Sequence, residues 1–195
     1  MTMMLNKYKK ICNRGCLKKS DVDILNLDNI QTIVFYALSH AFYKCQNLKK
    51  ISFANLTSVE NNGLGYCFSD CTSLTTVPTF ASLTSIGSSG LQYCFSGCTS
   101  LTTAPTFVNL TTLKTNGFRY CFQNCTSLTS ISFPALTSTS FGSSTNQFNN
   151  MLKGVTGCTV HFPSNLQSVI GSWSDVTAGF GGTNTTVLFD LTATS

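Results

Sequence analysis

The sequence predicts an α/β solenoid: a curved parallel β-sheet with short helical turns on its convex side, in about five coils of roughly 26–27 residues each, plus caps. Two observations carry this. Tyr66 to Leu74 reads YCFSDCTSL, Tyr93 to Leu101 reads YCFSGCTSL, and Tyr120 to Leu128 reads YCFQNCTSL, each copy one constant step after the last. Self-similarity at a fixed period of roughly 20 to 50 residues marks units that bury an apolar face only by stacking on their neighbours. The second observation is compositional. Hydrophobic residues make up 42% of the chain and charged residues only 10%, against about 25% charged in an average soluble domain. The core is therefore well supplied, and the surface must consist largely of Ser, Thr, Asn and Gln.

In chain order, residues 1–21 read as a basic arm or N-terminal cap. Residues 1 to 50 hold nine Lys or Arg against three Asp, a net of +6, whereas residues 51 to 195 carry a net of −1. The head (Lys7, Lys9, Lys10, Arg14, Lys18, Lys19) can attract phosphate or an acidic partner without specificity, but a solvated terminus explains the same charges. Met1 to Cys16 lacks the apolar core of about 7–15 residues that a signal peptide needs. No apolar run approaches the ~18 residues of a membrane span, so a soluble chain without an address is expected.

The solenoid occupies residues 22–163. Val22-x-x-Leu25-x-Leu27-x-x-Ile30-x-x-Ile33 recurs one coil later as Leu48-x-x-Ile51-x-Phe53-x-x-Leu56-x-x-Val59, with every apolar position coinciding. Leu38, Ala41, Phe42 and Cys45 precede Leu64, Cys67, Phe68 and Cys71 by the same step. The coils starting at Leu74 and Leu101 insert one residue around Pro78 and Pro105, and the coil at Leu128 returns to the shorter form. Thr137 to Gln147 reads as a longer loop, and Phe148, Met151, Leu152 and Val155 as a last helical turn. Val160-His161-Phe162-Pro163 then matches Ile131-Ser132-Phe133-Pro134, after this longer coil, as the final strand. Residues 164–195 read as a helix–strand cap. Ser164 is an N-cap candidate for a helix over Asn165 to Trp173, Gly179 to Gly182 is a turn, and Thr185 to Leu191 is a closing strand.

The physics of one coil follows from its spacing. Leu-x-x-Ile-x-Phe places its last two apolar side chains on one face of a strand, and proline at the strand end stops it. Tyr-Cys-Phe-x-x-Cys, with spacings of three and four, suits a single turn of α- or 3₁₀-helix. One strand and one helical turn in about 27 residues is the leucine-rich-repeat plan. Phe-Ser-Gly-Cys-Thr-Ser-Leu-Thr-Thr (95 to 103), followed by Pro105, Leu110 and Leu113, resembles the BspA-like, or Treponema-type, leucine-rich repeats of bacterial surface proteins. The resemblance covers about residues 22 to 163. It departs in unit length, with extra residues in Glu60 to Gly65, Ser88 to Gln92 and Lys114 to Arg119. It implies a curved parallel-sheet solenoid, often at the cell surface and often adhesive, and does not imply a conserved active site.

The ten cysteines offer the sharpest chemical hypothesis. Cys67 and Cys71, Cys94 and Cys98, and Cys121 and Cys125 form C-x₃-C pairs in register, so two adjacent coils can offer four sulfurs to zinc. However, Cys67 stands where the first coil has Ala41, a slot for a small buried side chain, and free Cys behaves as one. Repetition in register also sets the pairs side by side, not tetrahedrally about one ion. Cys45, Cys71, Cys98 and Cys125 are thus expected to form an interior ladder with Phe42, Phe68, Phe95 and Phe122, and no metal or cofactor is expected. An odd number of equivalent cysteines also speaks against a uniform disulfide pairing; Cys12 and Cys16 lie apart in the basic head.

Catalysis has little support. His40 and His161, the two histidines, fall beside apolar Ala41-Phe42 and in a predicted strand. The carboxylates form no pair placed for acid–base work. Asp21, Asp23 and Asp28 resemble the start of a calcium loop, but Asn26 and Thr32 stand where it needs Gly and Glu. Neither a phosphate loop nor a nucleophile elbow occurs, and the repeats lack the basic face that nucleic acid requires. Asn55-Leu56-Thr57, Asn109-Leu110-Thr111 and Asn124-Cys125-Thr126 match the glycosylation pattern, but their middle residues are core positions.

The strand face remains. Lys50 and Ser52, Thr76, Thr103, Ser130 and Ser132 alternate with buried strand positions and should form outward rungs about 4.8 Å apart. Such a hydroxyl ladder suits a protein or glycan ligand, and equally an inert solvated sheet. The expectation is a non-enzymatic binding or adhesion module on a bacterial surface or phage particle, without nucleic acid or a membrane span. The alternative is a structural spacer or assembly module with no ligand of its own.

Overall fold

The computed structural model of the chain describes residues 23–77, 80–141, 146–170 and 179–192. The basic head with Cys12 and Cys16, Pro78, and the end of the 165–173 helix lie outside them.

Among the described residues nine short strands stack in parallel along one axis. On the first side of the coil are β1 (Ile24–Asn26), β3 (Lys50–Ser52), β7 (Ser130–Ser132), β8 (Thr159–Pro163) and β9 (Thr186–Leu191). Single bridges pair Thr76 with Lys50 and Thr103 with Ser130. On the second side β2 (Thr32–Ile33), β4 (Ser58–Val59), β5 (Ser85–Ile86) and β6 (Thr112–Leu113) form one four-stranded parallel sheet. Strand register reproduces the sequence period. One step runs from Ile24 to Lys50 to Thr76, a step longer by one from Ser58 to Ser85 to Thr112, and the longest from Ser130 to Thr159. The extra residue thus enters between Thr76 and Ser85, the stretch that holds Pro78. Thr159 pairs in turn with Thr186, so β9 stacks on β8 at the same spacing as Ser58 and Ser85.

The third side, carrying Tyr-Cys-Phe-x-x-Cys, departs from the expected helical turn. It is a flat ribbon of consecutive turns in which backbone N–H groups alternate between two uses. Those of Ala37, Ser39, Ala41 and Tyr43 donate to the carbonyl three residues back. Those of Leu38, His40, Phe42 and Lys44 donate to Gly63, Gly65, Cys67 and Ser69 of the next coil at 2.8–3.0 Å. The pattern recurs over residues 62–70, 89–97 and 116–124, and every fourth residue takes positive φ, as at Asn62, Tyr66 and Asp70. Asn, Asp and Gly supply many of these positions because they tolerate the left-handed region. An α-helix, about 10 Å across, cannot stack at the ~4.8 Å spacing of strands. It also directs its N–H groups along its own axis. The ribbon meets both requirements of the stack.

Inside this coil, phenylalanines form columns. Phe42, Phe68, Phe95 and Phe122 stack at centroid distances of 5.6–5.7 Å. Phe53, Phe80, Phe107, Phe133 and Phe162 stack at 5.5–5.7 Å. Both spacings fall in the favourable offset range for aromatic pairs. Leu, Ile and Val columns fill the remainder, almost all fully buried. After β7 the chain makes a 3₁₀ turn (Ser138–Phe141), and after β8 another (Ser164–Leu166) that runs into a single turn of α-helix, Gln167–Ile170. No helix among the described residues is long and apolar enough to cross a membrane.

Candidate functional site

The cysteines take the interior of the turn ribbon. Cys45, Cys71, Cys98 and Cys125 are buried beneath the Phe42–Phe68–Phe95–Phe122 column. Three of these thiols donate to a carbonyl of the preceding coil: Cys71 to Phe42 O at 3.3 Å, Cys98 to Phe68 O at 3.3 Å and Cys125 to Phe95 O at 3.1 Å. Burial, followed by neighbouring thiols, pushes Cys94, Cys98 and Cys121 well above the usual range. Burial likewise raises Cys125 to about 12 and Cys158 to about 11. The thiolate is the nucleophile and the metal ligand, so these groups are chemically quiet at neutral pH. Among the described residues no group of three or more His, Cys, Asp or Glu is placed to hold a metal.

The outward strand row contains Lys50, Thr76, Thr103 and Ser130, all exposed, and continues through Thr159 and Thr186. Ser52 and Ser132 lie two residues further along their strands and are half-buried. Ser52 is committed to the fold: its hydroxyl donates to Asp28, which also accepts the Ala54 N–H at 2.7 Å. That backbone bond, then the Ser52 hydroxyl, holds the Asp28 carboxyl below the usual range. At the far end His161 Nδ1 meets Asp190 Oδ2 at 2.9 Å across β8 and β9.

Two features escaped the sequence reading. The first is an aromatic ladder on the outside of the ribbon. His40, Tyr66, Tyr93 and Tyr120 stack at 4.5–4.6 Å with interplanar angles of 7–13°. Arg119 and Lys153 lie 5.4 and 5.8 Å from the Tyr120 ring centre. Ring faces within the ladder cover one another, so the ladder offers solvent its edges and phenol groups. Partial burial, then the neighbouring Tyr66 and Tyr120, raises the Tyr93 hydroxyl above its usual value.

The second is an open groove of about 300 Å³ along the second sheet. Its floor is the hydroxyl row Ser58, Ser85 and Thr112, one residue per coil in direct register. Two residues further along each coil, Glu60, Gly87 and Lys114 occupy equivalent places, with N–H groups bonded to Ile33, Val59 and Ile86 carbonyls. Gly87 carries no side chain between the two charged ones, because Asn61 and the Glu60 backbone fill the space a side chain would take. A Cβ there would lie 2.7 Å from Asn61 N, so the position is closed to larger residues. Phe35 forms the rim, its ring 59% exposed and set edge-on against Tyr36 at 4.5 Å. Glu60 accepts the Phe35 N–H at 3.0 Å through one carboxylate oxygen. The signal for the groove was the column Val34, Glu60, Gly87, Lys114, visible only once the coils are aligned through β2 to β6.

Hydroxyls and amides elsewhere are used to join coils. Thr57, Thr84 and Thr111 donate to the carbonyls of Gln31, Thr57 and Thr84. Asn55 and Asn109 donate to Asp28 O and Ala81 O, while Leu56 and Leu110 are fully buried. The Asn-x-Thr repeats are thus built into inter-coil bonding.

The profile of the BspA type leucine rich repeat region matches residues 10–153 in six copies. The chain belongs to this family. No curated protein and no solved structure matches it.

Proposed function

We propose that this BspA-type leucine-rich-repeat chain is a non-enzymatic recognition module displayed on a bacterial surface or a phage particle, and that the groove along β4 to β6 is its ligand-contact face. The carrying observation is the groove itself: a register-locked hydroxyl floor, the Glu60 and Lys114 side chains beside it and an exposed aromatic rim. Ligand sites are concave, largely pre-formed surfaces with a few placed polar groups, and the fold is generally a binding scaffold. The ligand is a protein or a glycan. The flat row of Lys50, Thr76, Thr103 and Ser130 is a secondary face of the same module.

A second reading, an assembly module, has one specific support. Among the described residues β9 pairs only with β8, and Val187 and Phe189 along it are half-buried, so its outer edge offers a place for another strand. The immobilised chain screened against glycan and extracellular-matrix arrays separates the two. Hits lost on substituting Phe35 support recognition at the groove. Blank arrays together with concentration-dependent oligomers on a sizing column support assembly instead.

A further inference from the structure

We infer that the groove takes an unbranched, neutral β-1,4-linked hexopyranose chain lying along the stacking axis, an inference that rests on the groove being the ligand-contact face. Period is the first argument. The floor hydroxyls recur once per rung, about 4.8 Å apart. A β-1,4-linked hexopyranose chain advances by nearly the same distance per sugar, so successive sugars stay in step with the floor hydroxyls, alternate sugars turning opposite faces toward them. An extended peptide advances about 3.3 Å per residue and falls out of step with the rungs. Peptides also bind sheets chiefly by main-chain bonds to an open edge, and β4 and β5 are paired on both edges.

Chemistry is the second argument. The groove presents the Ser85 and Thr112 hydroxyls, which each can donate and accept. It adds the second carboxylate oxygen of Glu60, an acceptor for sugar hydroxyls, and the Lys114 ammonium, a donor. One acid and one base leave no net charge for an ionic ligand to select. Phe35 supplies the remaining element, a ring held edge-on by Tyr36 whose electron-rich face suits the C–H groups of a sugar.

The test is calorimetric titration of the intact chain with cellohexaose and chitohexaose, followed by the shorter oligomers of whichever binds. Affinity should rise from the disaccharide to about the tetrasaccharide and then level, because the floor spans three rungs. Phe35→Ala and Thr112→Val should each weaken binding by about three- to ten-fold, the worth of one contact. Ser127→Ala, in the exposed turn between the ribbon and β7, should leave it unchanged. Near-UV dichroism verifies that each variant is folded. Saccharide binding that ignores Phe35→Ala and Thr112→Val overturns the inference. No saccharide binding, with a protein ligand lost in the same variants, overturns the glycan assignment and leaves the groove as the contact face. If no ligand of either class is affected by them, both readings fall.

Discussion

The turn ribbon and the groove sit on the same coils and use their residues in opposite ways. In the ribbon, alternate N–H groups run to the next coil, thiols donate to carbonyls, and phenylalanines and cysteines are buried. Along the groove the strands are two residues long, a glycine replaces a side chain, and Ser85 and Thr112 direct hydroxyls outward. Cohesion is thus concentrated on one side of the stack. On the groove side the coils are joined chiefly through backbone and threonine bonds, so outward side chains such as Ser85 and Thr112 can vary without unstacking the coils.

Alkali should break the contrast most severely. Cys94, Cys98, Cys121, Cys125 and Cys158 are all raised above the ordinary value of 9.0. An acid whose folded pKa is raised contributes stability that is complete below the unfolded value, and it is lost as pH rises from there toward the folded value. Each thiol therefore costs up to about 1.4 kcal/mol per pH unit from about 9 upward, until about 12 for Cys125. Urea unfolding at a series of pH values should show a steep loss above 9, shallower in Cys125→Ala; a flat profile would contradict a thiol-filled ribbon.

Phe95→Ala, at the centre of its column, should cost about 3–5 kcal/mol, measured by chemical denaturation. A smaller change on the groove side should follow Gly87→Ala. Its new Cβ meets backbone at 2.7 Å, so about 1–3 kcal/mol of strain is expected. Ser85→Ala should shift stability by less than about 0.5 kcal/mol. If it costs as much as Phe95→Ala, the division between a cohesive and a free side is wrong.

Much of the fold was legible because stacking leaves a linear record. The coincidence of Leu25, Ile51 and Ile131 type positions gave the strand register, and the longer step from Ile131 to Val160 reappears in the β7–β8 pairing. The ribbon was not legible, because local spacings of three and four fit a helix as well as a chain of turns. The choice is made by bonds to the next coil and by the narrow rung spacing. Tyr66, Tyr93 and Tyr120 stood in plain register, yet their stacking depends on side chains that leave the ribbon at positive φ. The groove needs Glu60, Gly87 and Lys114 read down a column, which a pass along the chain does not bring together. Hydroxyl-rich strands were read as one uniform face. In the structure one of those groups, Ser52, is already spent on the neighbouring coil through Asp28.

The ladder of His40, Tyr66, Tyr93 and Tyr120 has an optical consequence. Three phenols held nearly parallel at 4.5–4.6 Å form a coupled chromophore in a fixed chiral setting. Its near-ultraviolet dichroism reports the alignment of the second, third and fourth coils relative to one another. Slippage between any two of them separates one ring pair and changes that band, so the protein carries an intrinsic gauge of coil registry that needs no label.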